Sequence, residues 1–89
     1  MRFEYDSAKS AAKKAKHGIG FEEAQALWDD PSYVTSPVTT RAEPRFLVVG
    51  RIGEKLWTAV ATDRGGVTRI ISVRRARNHE AEKYQRGRV

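Results

Sequence analysis

Residues 45–73 read RFLVVGRIGEKLWTAVATDRGGVTRIISV, and this stretch decides the fold. Arg45–Ile52 is dense in aliphatic and β-branched residues and reads as a strand. Gly53 and Glu54 supply a turn, and Lys55–Thr62 reads as the next strand. Asp63-Arg64-Gly65-Gly66 turns the chain again into Val67–Val73, the most apolar strand. There Ile70 and Ile71 stand side by side and break the two-residue alternation, which predicts burial on both faces and a central place in a sheet.

Towards the N-terminus, Arg2–Asp6 alternates with Phe3 and Tyr5 on one side, predicting a short strand. Asp6 suits a helix N-cap, because its carboxylate can accept from free backbone N–H groups. Ser7–Lys16 is mostly Ala and Lys, both strong helix formers. Ala8, Ala11, Ala12 and Ala15 recur at helical spacing and predict a small-residue face turned toward a sheet or second helix. Lys9, Lys13 and Lys16 form a neighbouring stripe, and Gly18 suits the left-handed residue that ends the helix. A second helix starts near Phe21, with Glu22 and Glu23 at its positive end and Phe21, Ala24, Leu27 and Trp28 on one face. Asp29-Asp30-Pro31 ends it, since the residue before proline avoids helical geometry.

Tyr33–Thr40 is rich in β-branched residues but carries Pro37, which confines it to a sheet edge. Arg77–Arg86 reads as a final helix whose only apolar residues, Ala81 and Tyr84, place it at the periphery. The expected architecture is α+β in one domain, residues 1–89. It comprises a short N-terminal strand, two helices, a curved antiparallel sheet of three to four further strands and a C-terminal helix. The first helices cover one sheet face and leave the other to a ligand.

The chain has 89 residues, 17 Lys+Arg against 11 Asp+Glu, a formal charge of +6 and no cysteine. The charge is blocked rather than scattered. Residues 1–20 hold five basic and two acidic groups, 21–44 one and five, 45–66 four and two, and 67–89 seven and two. Two basic ends around an acidic middle imply a basic face with polyanion partners. Absence of Cys excludes disulfides and thiolate metal sites, and with His17 and His79 alone an all-protein zinc site is not expected. No apolar run approaches the ~20 residues of a membrane span and no export signal opens the chain, so a cytoplasmic protein without membrane contact is expected.

Several blocks resemble the BrnT toxins. Phe3-Glu4-Tyr5-Asp6 with Lys9 is similar to their opening strand and cap, and Lys16–Ala24 (KHGIGFEEA) to their most recognisable motif. Trp28-Asp29-Asp30-Pro31, Glu43-Pro44-Arg45-Phe46 with Gly50, Thr62-Asp63-Arg64 and Arg69–Ala76 (RIISVRRA) follow in family order, as do Glu80 and Tyr84. Lys13 stands where family members often carry Asn, and Gly20 where a Ser N-cap is common. The resemblance implies a RelE-like fold and a ribonuclease toxin of a type II toxin–antitoxin pair that arrests translation. It also implies a BrnA-like antitoxin of the ribbon-helix-helix type, and promoter DNA bound through the antitoxin complex.

RNA carries its own nucleophile, the 2′-OH, so it can be cleaved with neither metal nor cofactor. The enzyme must deprotonate that hydroxyl, stabilise a phosphorane and protonate the leaving 5′-oxygen, and acid–base help is worth roughly 10²–10⁴. Arg45, Arg64, Arg74 and Arg75 are candidate phosphate clamps, since guanidinium pairs bidentately with phosphate. Glu43 or His17 is the candidate base, and Tyr84 or His79 the candidate acid. Lys9, Lys13, Lys16, Arg45 and Arg69 are candidates for holding RNA. Each has a structural alternative: His17 as a helix-end group, Glu43 as a surface ion pair with Arg45, Arg64 as a turn residue, Arg74 as a partner of Glu80, Tyr84 as a helix anchor. Trp28 and Trp57 read as core. Two other readings fit the same composition: a non-catalytic RNA- or DNA-binding module, and a degenerate toxin retained as a co-repressor.

Overall fold

The computed structural model describes residues 1–38 and 43–87. Strand β1 (Arg2–Glu4) leads into α1 (Ser7–His17), and Asp6 caps it as expected: its Oδ1 accepts from the backbone N–H of Ala8 at 2.9 Å and of Lys9 at 3.1 Å. Gly18, at φ 94°, takes the left-handed turn that ends α1 and donates its N–H to the Lys14 carbonyl.

Helix α2 is shorter than its apolar face predicts. It is α-helical over Phe21–Ala24 and tightens to a 3-10 turn over Gln25–Asp29. The cause is local. Asp30 precedes Pro31 and is extended (ψ 116°), so the last turn has no room to continue as α.

Strands β2 (Val34–Val38), β3 (Arg45–Ile52), β4 (Lys55–Arg64) and β5 (Val67–Arg75) join β1 in one mixed sheet of order β1-β5-β4-β3-β2. β1 runs parallel to β5 and the other neighbours are antiparallel. β2, the strand with Pro37, lies at an edge, as a residue without an N–H requires. The Thr39 and Thr40 portion of that expected strand lies outside the described residues. Helix α3 (Asn78–Gly87) closes the chain. The layout is α+β, as the sequence predicts.

Two expectations need correction. β5 is interior, but Ile70-Ile71 does not mark burial on both faces. Val60 pairs with Ser72 while Ala61 pairs with Ile70, so Ile71 is an extra, bulged residue. The buried positions of β5, Thr68, Ile70 and Val73, shift phase across it. The alanine stripe of α1 also faces the wrong way for the predicted packing: Ala8, Ala11, Ala12 and Ala15 are all exposed, and α1 contributes no buried residue. Its half-buried side carries Ser10, Lys13 and His17. A methyl group contributes little area, whereas the Ser10 hydroxyl accepts the Phe21 N–H at 2.8 Å and satisfies a helix donor that has no partner within α2.

The core lies between the sheet and α1–α2. Phe21, Ala24 and Leu27 pack on Val48, Trp57, Ala59, Ile70 and Val73. Trp57 is in this core, while Trp28 is half-buried with its ring edge-on to Phe3 at 5.0 Å.

At the start of α2, Gly20 donates its N–H to Glu23 Oε1 at 2.7 Å, and Ser10 Oγ accepts the N–H of Phe21, the first helical residue. A Cβ on Gly20 would fall 2.7 Å from Ser10 Oγ and 2.9 Å from the Ser10 carbonyl. Gly20→Ser is therefore expected to destabilise by about 1–3 kcal/mol in urea unfolding, where capping propensity alone predicts a small gain.

Candidate functional site

Cross-strand pairs share a face, so register places the site residues. On the face opposite the main core, three rows cross the sheet. One row holds Glu4, Arg69 and Thr62, the next Ser72, Val60 and Leu47, and the third Arg74, Thr58 and Val49. The bulge makes this possible. Positions 69 and 74 are an odd number of residues apart and would face opposite ways in a regular strand, but with Ile71 looped out both face the same side.

Helix α3 sits on the third row. The Thr58 hydroxyl donates to Glu80 Oε1 at 3.0 Å, and Arg74 donates to both Glu80 oxygens at 2.7 and 2.8 Å. The Arg77 N–H adds a fourth bond at 2.8 Å. Glu80 is only 4% exposed, and these partners, Arg74 first, outweigh the cost of burial and hold its pKa at about 2. Tyr84 is also buried, its hydroxyl donating to Asp30 Oδ2 at 2.7 Å. Burial disfavours the Asp30 carboxylate, but that bond and the N–H groups of Ser32 and Arg51 more than offset it and lower its pKa.

The first row ends in a charged corner. Arg64 contacts Glu43 through Nη2 at 3.2 and 3.3 Å and Nε at 3.4 Å, which raises the arginine pKa and keeps it cationic. Arg69 lies 3.7 Å from Glu4. The buried Thr62 hydroxyl donates to the Pro44 carbonyl at 2.6 Å and ties down the backbone between Glu43 and Arg45. Arg45 Nε is buried without a hydrogen-bond partner among the described residues. Between the first and third rows, no helix among the described residues covers the half-buried Leu47, Val60 and Ser72. Those rows are four residues apart along β4, about 13 Å.

The sequence candidates thus divide into groups. Glu43, Arg45, Arg64 and Arg69 meet at the corner. Glu43 pairs with Arg64, 21 positions on. Arg74 and Tyr84 lie under and within α3, both engaged in anchoring it. Arg75 points to the other face, its guanidinium 5.5 Å from the Trp57 ring centroid. His17 ends α1, about 16 Å along the helix from the Asp6 cap. Partial burial, then Lys13 and Lys16, lower its pKa. His79 is exposed in the first turn of α3. Lys9, Lys13 and Lys16 lie on α1, which packs with the core face. A wide surface groove lined by Asn78, Ala81, Glu82, Gln85 and Arg86 contains none of these residues.

Sequence reasoning missed Thr58, Thr62, Glu4 and Asp30, which position the candidates without reacting. The signal was present for two of them: Thr58 and Thr62 fall four apart on one face of β4, and both are buried.

The family model described as "Ribonuclease toxin, BrnT, of type II toxin-antitoxin system" matches residues 5–80. No curated protein matches the chain.

Removing Arg74 leaves a buried carboxylate uncompensated, so Arg74→Ala is expected to destabilise by about 3–5 kcal/mol. The Glu80 pKa is lowered from 4.5 to about 2, so its stabilisation is complete above pH 4.5 and fades as pH falls toward 2. Urea unfolding at pH 3 is expected to show about 2 kcal/mol less stability than at pH 7 from this group. Glu80→Gln is expected to lack that part of the slope.

Proposed function

The chain belongs to the BrnT family of ribonuclease toxins of type II toxin–antitoxin systems, and from that membership we propose that it cleaves RNA at the Glu43–Arg64 corner without a metal ion. The observation that carries this reading is a cluster of two carboxylates, Glu43 and Glu4, and three guanidinium groups, Arg45, Arg64 and Arg69, at the end of the sheet face away from α3.

Glu43 takes the proton from the 2′-OH. The 2′-oxygen attacks the neighbouring phosphorus and a phosphorane forms with an added negative charge. Arg64, already at the carboxylate, and Arg45 donate to its oxygens through their guanidinium groups. The bond from phosphorus to the 5′-oxygen then breaks. Water protonates the leaving oxygen, the hydroxide so formed takes the proton from Glu43, and a 2′,3′-cyclic phosphate remains. Tyr84, sealed against Asp30, and Arg74, held by Glu80, act by keeping α3 in place. The strip over Leu47, Val60 and Ser72 guides the RNA strand, with Arg69 on its border.

The same surface suits inhibition. A BrnA-like antitoxin that lays carboxylates on Arg45, Arg64 and Arg69 would exclude RNA by charge and by cover. The toxin would then reach promoter DNA through its antitoxin, in the cytoplasm where its RNA lies.

Glu43→Gln and Arg64→Ala are each expected to lower cleavage of a defined RNA by about 10²–10⁴. Stability should change by no more than about 1 kcal/mol, because the pair is a surface one with 52% of the Arg64 side chain exposed. RNA end-mapping after induced expression, with and without the antitoxin, checks both effects. Wild-type cleavage by Glu43→Gln would remove this site from the reaction. Equal loss of binding and cleavage would favour a binding module instead.

A further inference from the structure

Helix α1 combines two features that the cleavage corner does not use. Its outward side is a smooth ridge of Ala8, Ala11, Ala12 and Ala15, all exposed. Beside that ridge run Lys9, Lys13 and Lys16 at i, i+4 and i+7, and the helix contains no acidic residue. Lys14, on the other flank, pairs with Glu23 at 3.4 Å, and Lys9 lies near the Asp6 carboxylate that caps the helix. The stripe spans seven residues, about 10 Å, roughly three nucleotide steps of a strand.

We propose that α1 is a second RNA-backbone tract, separate from the cleavage corner and reached over the β1 edge. It rests on the reading of that corner as the place where RNA is cut. The path is short. β1 is an edge strand. Asp6, which caps α1, lies close enough to Arg69 for the arginine charge to lower its pKa. RNA leaving Arg69 therefore meets the start of α1 on rounding that edge, and Lys9, Lys13 and Lys16 continue the track on the far side of the sheet. The small Ala side chains let the sugar–phosphate chain approach the helix while the lysines reach its phosphates. A protein partner fits this face poorly, because protein interfaces are depleted in Lys and Ala and the ridge offers only methyl groups to bury.

The tract makes length-dependent binding the readout. The triple variant Lys9→Gln, Lys13→Gln, Lys16→Gln is compared with the wild type and with a control of equal charge loss, Lys55→Gln, Arg77→Gln, Arg86→Gln. Each protein is given a tetranucleotide, which covers the corner alone, and a 30-nucleotide single-stranded RNA. The lysine triple variant is expected to cut the tetranucleotide like wild type but to raise KM for the long RNA about tenfold or more. The slope of log affinity against log salt should fall by about 2, with the control near wild type. Gln keeps helix propensity, and circular dichroism checks that α1 persists. Unchanged long-RNA affinity and salt slope in the triple variant would overturn the tract, as would an equal loss in the control. Loss of antitoxin binding with long-RNA binding intact would overturn it in favour of a protein partner. Anisotropy with the long RNA decides the tract even if no protein in the set cleaves, an outcome that would count against the corner instead.

Discussion

The buried Glu80 carboxylate is the constraint on which the second face of the sheet depends. A carboxylate at 4% exposure is tolerable only when every lone pair is used, and here Arg74, Thr58 and the Arg77 N–H use them. Those partners come from β5, β4 and the start of α3, so satisfying one charge fixes the angle and depth of a helix with little apolar content. Tyr84 on Asp30 and Lys83 on Ser36 and the Thr35 carbonyl then anchor the next turn toward the β2 edge. Because α3 is held at one end of the sheet, the other end stays open. The open strip follows from the ion pair rather than from any missing element.

That ion pair in turn needs the bulge at Ile71. With regular pairing, Arg69 and Arg74 would face opposite sides, and one of them would be driven into the core among Val48 and Ala59. One extra residue puts Arg74 under α3 and Arg69 at the corner, and leaves Arg75 to cover Trp57 from behind. Bulges re-aim side chains next to functional surfaces, and this one sorts the three cations of a single strand.

Much of the fold was legible because its signals are local. Asp6 and Gly18 bracket α1, Gly53 and Gly65-Gly66 bracket β4, and Pro37 assigns β2 to an edge. What failed was what depends on contacts distant in sequence. Periodicity identifies a stripe of alanines but not which stripe turns inward, and the Ser10 bond to Phe21 decides that. The adjacent isoleucines were visible, yet a bulge and two-sided burial produce the same pattern in one strand. Gly20 read as a weakened cap because its compensation lies a helix away. At the site, the residue types were legible and their grouping was not: Glu43 and Arg64 are 21 positions apart and meet through the pairing of β3 with β4.

The arginines can be ranked by what an RNA phosphate would have to displace. Arg74 holds a carboxylate that cannot be left alone, and breaking a pair of that kind costs about 3–5 kcal/mol. A phosphate gains nothing net by competing there. Arg64 holds a surface carboxylate whose loss costs at most about 1 kcal/mol, and the released Glu43 keeps access to water. Arg45 Nε has no hydrogen-bond partner among the described residues, so an acceptor that reaches it displaces no existing bond. Affinity for phosphate should therefore run opposite to the completeness of existing pairing, Arg45 before Arg64 before Arg74. That order converges on the corner where the Glu43 carboxylate also lies, so the cations that RNA can draw on stand beside the group that can take its proton.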